Sequence, residues 1–448
     1  MLPLMLTEVA AAIGAAANAQ AQITAVTTDS REAAPGALFI ALQGEKFDGN
    51  DFAESFLQNG GAAAVVSRPF AHPFCLQVPD THAALGQLAA AYRAKLSLPV
   101  IAVTGSVGKT STRRMLECAL SGAGAVRATK GNLNNDIGLP RTIFTLEAAD
   151  DYAVLEMGMN HKGEIAYLTH IARPNIAVIT NIGTAHIGNL GSREGIRDAK
   201  LEILEGLLPG GTAVLNGDDE YLWNYREHIR VPILWYGIEN PECNVRASAY
   251  AVSAAQSVFT SGGQSFTVPI AGRHHVYNAL AAVAVGQVLG IGLPVLSAGI
   301  ACFAPEGMRQ NSIEFNSIQF ILDCYNANPD SMRAALDVLA CTPAKRRIAV
   351  LGDMYELGSF TQEGHRRTGE YAAKLRTIGQ MAAIGNLSRQ TAAAAEESGM
   401  PTKWFATNAE AAAYLRAFLQ PGDAVLFKAS RGAKLEEVSE ALMASLRE

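Results

Sequence analysis

The chain has 448 residues, too many for one compact hydrophobic core, so about two to four domains are expected. Hydrophobic residues make up 49% and aromatic residues only 7%, a composition suited to helices packed closely on sheets and not to a disordered chain. The formal net charge of −6 gives no support for electrostatic binding of nucleic acid or of an anionic membrane. Six cysteines (Cys75, Cys118, Cys243, Cys302, Cys324 and Cys341) are scattered without a Cys-x-x-Cys pair. They read as reduced thiols of a cytoplasmic protein. The apolar start of the chain has no Lys or Arg before Arg31, so the positive region of a secretory signal is missing.

In chain order, TEVAAAIGA suggests a helix, ALFIALQG (37–44) a strand, KFDGNDF (46–52) a polar turn and GAAAVVS (61–67) a short buried strand. A helix is expected over 81–96 and the strand PVIAVT over 99–104. Apolar strands recur at 152–158, 175–183 and 211–219, with an amphipathic helix at 193–208. Residues 220–270 show several short β-like runs, and a helix begins near His275. Residues 274–305 carry no formal charge, long enough for a bilayer span of ~20 residues. Gly290, Gly292 and Pro294 interrupt the stretch, so two helices and a turn inside a globular core are expected instead. Strands at 318–323, 347–352, 380–385 and 423–428 alternate with helices to the end. That alternation indicates an α/β fold with parallel, doubly wound sheets, whose ligands bind beyond the C-terminal strand ends.

The motifs lie at such strand ends. In PVIAVTGSVGKTSTRRML an apolar strand, a glycine-rich turn and a helix follow one another, as a phosphate-binding loop requires. Thr104, Gly105, Ser106, Val107, Gly108, Lys109, Thr110 and Ser111 form the candidate ATP loop. Gly105 and Gly108 allow a tight turn with amides aimed at phosphate, Lys109 can reach the β- and γ-phosphates, and Thr110 can offer its hydroxyl to Mg²⁺. The first glycine of the general pattern is replaced by Val103. Glu156 ends the run YAVLE and is placed to hold Mg²⁺. His186 lies in the glycine-rich TNIGTAHIGNLGS, where a structural and a functional role are equally open. Lys200, in GIRDAKLEIL, reads on its face as a solvated helix lysine.

Taken together these residues resemble the Mur ligases of peptidoglycan synthesis. The resemblance runs through TDSREAAPGALFIALQGEKFDGNDF (28–52), TGSVGKTST, NLNNDIGLP (132–140), EMGMN (156–160), NIGTAHI (181–187), DCYNANPDSM (323–332), LGDMYELG (351–358) and FKASRGAKLE (427–436). DCYNANPDSM and LGDMYELG are like the branch that adds D-alanyl-D-alanine. The resemblance implies three domains: a small N-terminal α/β domain for a UDP-sugar (1–80), a central phosphate-loop domain with a parallel or mixed sheet (81–303), and a C-terminal Rossmann-like doubly wound domain (304–448). It also changes the reading of Lys200, which in the family is carbamylated and helps to hold a second Mg²⁺. Thr110, Glu156, His186 and carbamylated Lys200 are thereby the implied metal residues, with Lys109, Lys200, His186 and Glu156 as the catalytic set. Asn278 is implied to contact adenine, with Arg309 and the ribose-binding Asp323 completing the ATP site. Two details depart from the family: its His-Asn pair stands here as His274-His275, and its interdomain Gly-Arg as Gly307-Met308-Arg309.

The implied reaction joins UDP-MurNAc-tripeptide to D-Ala-D-Ala through an acyl phosphate, with ATP and two Mg²⁺ ions, in a cytoplasmic monomer. Ser30, Arg31 and Asp48 are expected at the uridine diphosphate, Asn132 and Asn135 at the muramoyl peptide, and Asn326 and Asn328 at the dipeptide. Three competing readings are a sister ligase adding one amino acid, a phosphate-loop kinase, and an ATP-switched binding module.

Overall fold

A computed structural model describes residues 1–445. The chain falls into two compact units: Met1–Thr104, Ala123–Val178 and Leu201–Ala213 form the first, and Gly105–Gly122, Ile179–Lys200 and the chain from Val214 onward form the second.

The first unit contains a four-stranded parallel sheet in sequential order, Ala25–Thr27, Ala37–Ile40, Ala63–Val66 and Cys75–Gln77. Its middle strands are buried throughout, as their unbroken apolar runs require. The helix Thr81–Ala94 starts where the Asp80 carboxylate accepts from the amides of His82 and Ala83, an N-cap that satisfies two otherwise orphaned donors. A second set of strands runs in the order Val126–Ala128, Tyr152–Glu156, Val100–Thr104, Ile176–Ile179. The first three are parallel, and the Val100 strand is fully buried.

In the second unit, the strand segment from Val214 to Asn216, Ile233–Gly237 and Val245–Arg246 are successive sheet neighbours. The irregular region 220–270 resolves into these short strands and an antiparallel meander, Ala249–Val252, Ser257–Ser261 and Gln264–Val268. The uncharged stretch is two helices, Arg273–Val288 and Leu293–Ile300. They pack on the helix Lys109–Leu120. Among the described residues no helix is long and apolar enough to cross a membrane. The close approach depends on a missing side chain: a Cβ at Gly299 would lie 2.2 Å from the Cys118 carbonyl oxygen. Gly299→Val is therefore expected to destabilise the protein by about 1–3 kcal/mol through overpacking, read as a lowered midpoint in urea or heat.

A six-stranded sheet completes this unit, in the order Asn311–Phe315, Ile318–Asp323, Asp423–Lys428, Arg346–Gly352, Gln380–Ile384, Thr402–Phe405. Only the first pair, a hairpin, is antiparallel; the rest is parallel with intervening helices, a doubly wound layer. The edge strands Asn311–Phe315 and Thr402–Phe405 were not foreseen, being short and half exposed. Asp323, Gly352 and Lys428 end their strands at the edge where ligands of such sheets bind.

Candidate active site

The glycine-rich turn connects a buried strand to the helix Lys109–Leu120, with Gly108 as its left-handed N-cap. Gly105 has φ +154°, and a Cβ there would lie 1.8 Å from the Thr180 hydroxyl, so only glycine fits. The turn is braced from the loop that follows the strand Ile176–Ile179. Asn181 accepts from the amides of Ser106 (3.0 Å, through its main-chain carbonyl) and Val107 (3.0 Å, through its side chain), and its side-chain NH₂ donates to the Val107 carbonyl at 2.9 Å. Thr180 donates to that carbonyl at 2.7 Å. The Ser106 and Val107 amides thus hold the turn's shape through Asn181. The helix that follows begins at Lys109, the end at which backbone amides point outward, and the Lys109 ammonium folds back to the Gly105 carbonyl at 2.8 Å.

Asn278 lies beneath the same helix. Its side-chain oxygen accepts from the Thr112 hydroxyl at 3.0 Å, while its buried Nδ2 has no hydrogen-bond partner among the described residues. A buried orphan donor of this kind suits an acceptor on a ligand. His274 and His275, the departure noted in the sequence, both reach Gln310 Oε1 (3.1 and 3.0 Å). Burial lowers the pKa of each.

Lys200 overturns its reading as a solvated helix lysine: it is 1% exposed, at the C-terminal end of the helix Arg193–Leu201. Burial drives its pKa well below the ordinary lysine value, and the charge of Lys109 adds to the effect. An uncharged amine is thus favoured there.

His186 sits in left-handed backbone (φ 61°), as does Glu356 (φ 64°), and its Nδ1 lies 2.8 Å from Glu356 Oε2. The His186 imidazole and the Lys109 charge hold the Glu356 carboxyl below the usual range, against the opposing effect of burial. The same loop receives a second carboxylate: Asp330 Oδ2 accepts from the Thr184 amide (2.8 Å) and hydroxyl (2.9 Å). Asp330 and Glu356 were not singled out in the sequence, although both lie inside the strings DCYNANPDSM and LGDMYELG. Their roles depend on contacts that no local pattern encodes.

Asp323 Oδ2 takes a 2.6 Å ion pair from Lys428, which is 2% exposed and also donates to the Asn326 carbonyl at 3.1 Å. Lys428 is a further residue missed in the sequence. Arg309 stacks over the Tyr325 ring, 4.2 Å from its centroid. The Asn328 side chain accepts from the Ser331 amide and caps the helix Pro329–Cys341, and Asn326 Oδ1 accepts from the Ala327 amide.

In the first unit Glu156 is 1% exposed at its strand end, and Asn134 donates to its Oε1 at 2.8 Å. Thr104 donates to the Met157 carbonyl at 3.0 Å. Asn135 accepts from the Gly138 amide, and the Asn132 carbonyl accepts from the Asn134 amide. Arg31 pairs with Asp29 at 2.6 Å beside Ser30, and Asp48 pairs with Arg68. Among the described residues no three His, Cys, Asp or Glu side chains converge as a metal site.

A strand, a braced phosphate loop, a buried lysine and a doubly wound layer presenting carboxylates to one loop define a phosphate-loop enzyme of the nucleotide-dependent kind. Three family models match in chain order: Mur ligase family, catalytic domain over 22–93; Mur ligase middle domain over 103–286; and Mur ligase, glutamate ligase domain over 308–431. The chain belongs to the Mur ligase family. It is 38% identical over 434 residues to the UDP-N-acetylmuramoyl-tripeptide--D-alanyl-D-alanine ligase of Escherichia coli (strain K12), covering 95% of each chain. Its fold is similar to that of MurF from Acinetobacter baumannii, with TM-score 0.92, 36% identity and 99% of both chains covered. A second similar structure is the MurF ligase from Thermotoga maritima in complex with ADP, with TM-score 0.84, 28% identity and 94% of this chain and 97% of that one covered.

Proposed function

We propose that the protein is an ATP-dependent, ADP-forming ligase that adds D-Ala-D-Ala to UDP-MurNAc-tripeptide in the synthesis of the peptidoglycan precursor. The observation that carries this reading is the delivery of Asp330 and Glu356 to the loop 184–188 that follows the phosphate-loop brace. Both come from the two strings most like the dipeptide-adding branch.

The tripeptide carboxylate attacks the γ-phosphorus of ATP, and ADP leaves. The dipeptide amine then attacks the acyl phosphate, loses a proton and expels inorganic phosphate. Phosphorylation is needed because a bare carboxylate would have to expel oxide. Lys109 and the helix N-terminus behind it hold the β- and γ-phosphates and stabilise the charge that develops on transfer. Asn278 offers its Nδ2 to adenine; Asp323, set by Lys428, serves the ribose, and Arg309, in the linker at the start of the third domain, completes the ATP site. Ser30, Arg31 and Asp48 serve the uridine diphosphate, Asn132 and Asn135 the muramoyl peptide, and Asn326 and Asn328 shape the dipeptide end through the backbone they hold.

The donor chemistry fits Mg²⁺, which takes one or two carboxylates plus substrate phosphates and needs no cage of protein ligands. Thr110, His186 and carbamylated Lys200 of the second unit would hold it, and the family resemblance gives Glu156 of the first unit a role toward the metal as well. When bound, Mg²⁺ neutralises the anions that must approach each other. An ammonium at position 200 would repel the metal; a carbamate supplies oxygen ligands. The domains are 1–80, 81–303 and 304–448, and the protein works as a cytoplasmic monomer without nucleic acid.

Phosphate release is expected only when ATP, UDP-MurNAc-tripeptide and D-Ala-D-Ala are all present, with meso-diaminopimelate and L-lysine inactive as acceptors. Release with a single amino acid would indicate a sister ligase. Phosphate retained on a product would indicate a kinase, and nucleotide binding without acceptor-dependent turnover a switch.

A further inference from the structure

Two residues in strained backbone face each other across the loop 183–190. Residues other than glycine are uncommon at left-handed φ, with Asn, Asp and His the more tolerant; His186 and Glu356 both adopt it, and the glutamate carries the greater strain. The helix Ile187–Leu190 packs against the turn Gly358–Phe360, and the Gly188 amide donates to the main-chain carbonyl of Glu356 at 3.3 Å. Strain of this kind persists where surrounding structure over-determines a conformation, and it gathers at functional sites. Glycine at either position would relieve it, at the loss of the side chain.

The side-chain contact supplies what the strain is for. The His186 imidazole is mostly buried, with 14% of its side chain exposed, and its Nδ1 lies 2.8 Å from Glu356 Oε2, a close contact whose angle falls outside that of a hydrogen bond among the described residues. A carboxylate has no proton to give, so its approach favours the proton on the nitrogen facing it. The lone pair is then left on Nε2, the form in which a neutral imidazole can ligate a cation. Carboxylates behind metal-binding histidines fix ring orientation and tautomer in this way.

We propose that Glu356 is a positioning residue: it sets the Nδ1–H tautomer and the ring orientation of His186. The inference rests on the reading of His186 as a Mg²⁺ ligand. It makes seating of the LGDMYELG turn a condition for a competent His186, so a segment of the six-stranded layer completes the phosphate-transfer site.

The test uses the full chain with histidine ¹⁵N labelling, together with Mn²⁺ titration followed by electron paramagnetic resonance in the presence of a β,γ-methylene ATP analogue. The native protein is expected to show His186 as the Nδ1–H tautomer. Glu356→Ala and Glu356→Gly are expected to mix the tautomers and weaken Mn²⁺ binding about 10–100-fold, and Glu356→Gln to restore most of both. Glu356→Gly is expected to melt at or above the native temperature because the backbone strain is gone. An unchanged tautomer and unchanged Mn²⁺ affinity in the Ala and Gly variants would overturn the proposal. So would a loss of affinity that merely tracks a loss of thermal stability. His186→Ala separates the two layers of the argument. If it binds Mn²⁺ like the native chain, the metal-ligand reading itself falls. If it weakens Mn²⁺ while the Glu356 variants do not, only the positioning role falls.

Discussion

Lys109→Ala is expected to lower acceptor-dependent phosphate release by about 10²–10³-fold or more while leaving the fold intact. Removing one preorganised charge from a transferring phosphoryl group has that order of effect. Here the charge has little backup from the turn, because the Ser106 and Val107 amides are committed to Asn181. Lys109 is only partly buried, and its ammonium reaches a main-chain carbonyl of its own turn. Substitutions of this type usually change stability by no more than about 0.5 kcal/mol. A phosphate-release assay paired with a thermal melt decides the matter. Native-like turnover by the variant would remove the phosphate-loop assignment.

Lys200 is expected to carry a carbamate, and Lys200→Ala to lower turnover by about 10²–10³-fold. The buried amine, next to the charge of Lys109, is biased toward its neutral form, and only that form reacts with CO₂. The nitrogen–carbon bond forms, the amine releases one proton, and a neutral group becomes an anion. Protein equilibrated with ¹³C-bicarbonate is expected to show a carbamate resonance that the Lys200→Ala variant lacks. Depleting bicarbonate should slow the native enzyme, and restoring it should recover the rate. Stability gives a second reading. With its native-state pKa depressed, Lys200 binds fewer protons folded than unfolded, so its contribution to stability worsens as pH falls below the ordinary lysine value. In bicarbonate-free buffer Lys200→Met should therefore raise the melting temperature at neutral pH even as activity is lost. A bare amine in the fully active enzyme would count against the carbamate.

Much of the fold was legible because its signals are local. The strands Ile318–Asp323 and Asp423–Lys428 are the spans that their apolar runs marked. The strand–turn–helix around Gly105 and Gly108 was legible because a buried strand, glycines and a helix start are adjacent in sequence. The strands Asn311–Phe315 and Thr402–Phe405 were not, since half-exposed edge strands carry weak alternation. Asn328 and Asn135 were expected at substrate, and the structure shows both capping backbone amides, a role that the residue type itself favours. Their strings remain informative through their neighbours: Asp330 lies two residues beyond one, and Asn134 directly before the other.

Sequence by itself determined the parallel α/β class, the strand, glycine turn and helix of 100–120 and the family, because strand periodicity, turn residues and contiguous motifs depend on a few neighbouring residues. Only tertiary structure decided the burial of Lys200, the ion pair of Lys428 with Asp323 and the meeting of Glu356 with His186. Each of these joins or encloses residues through packing and strand order, over separations of 105 residues in the second case. Burial sets the charge state, and packing sets the contact, only once the sheets have formed.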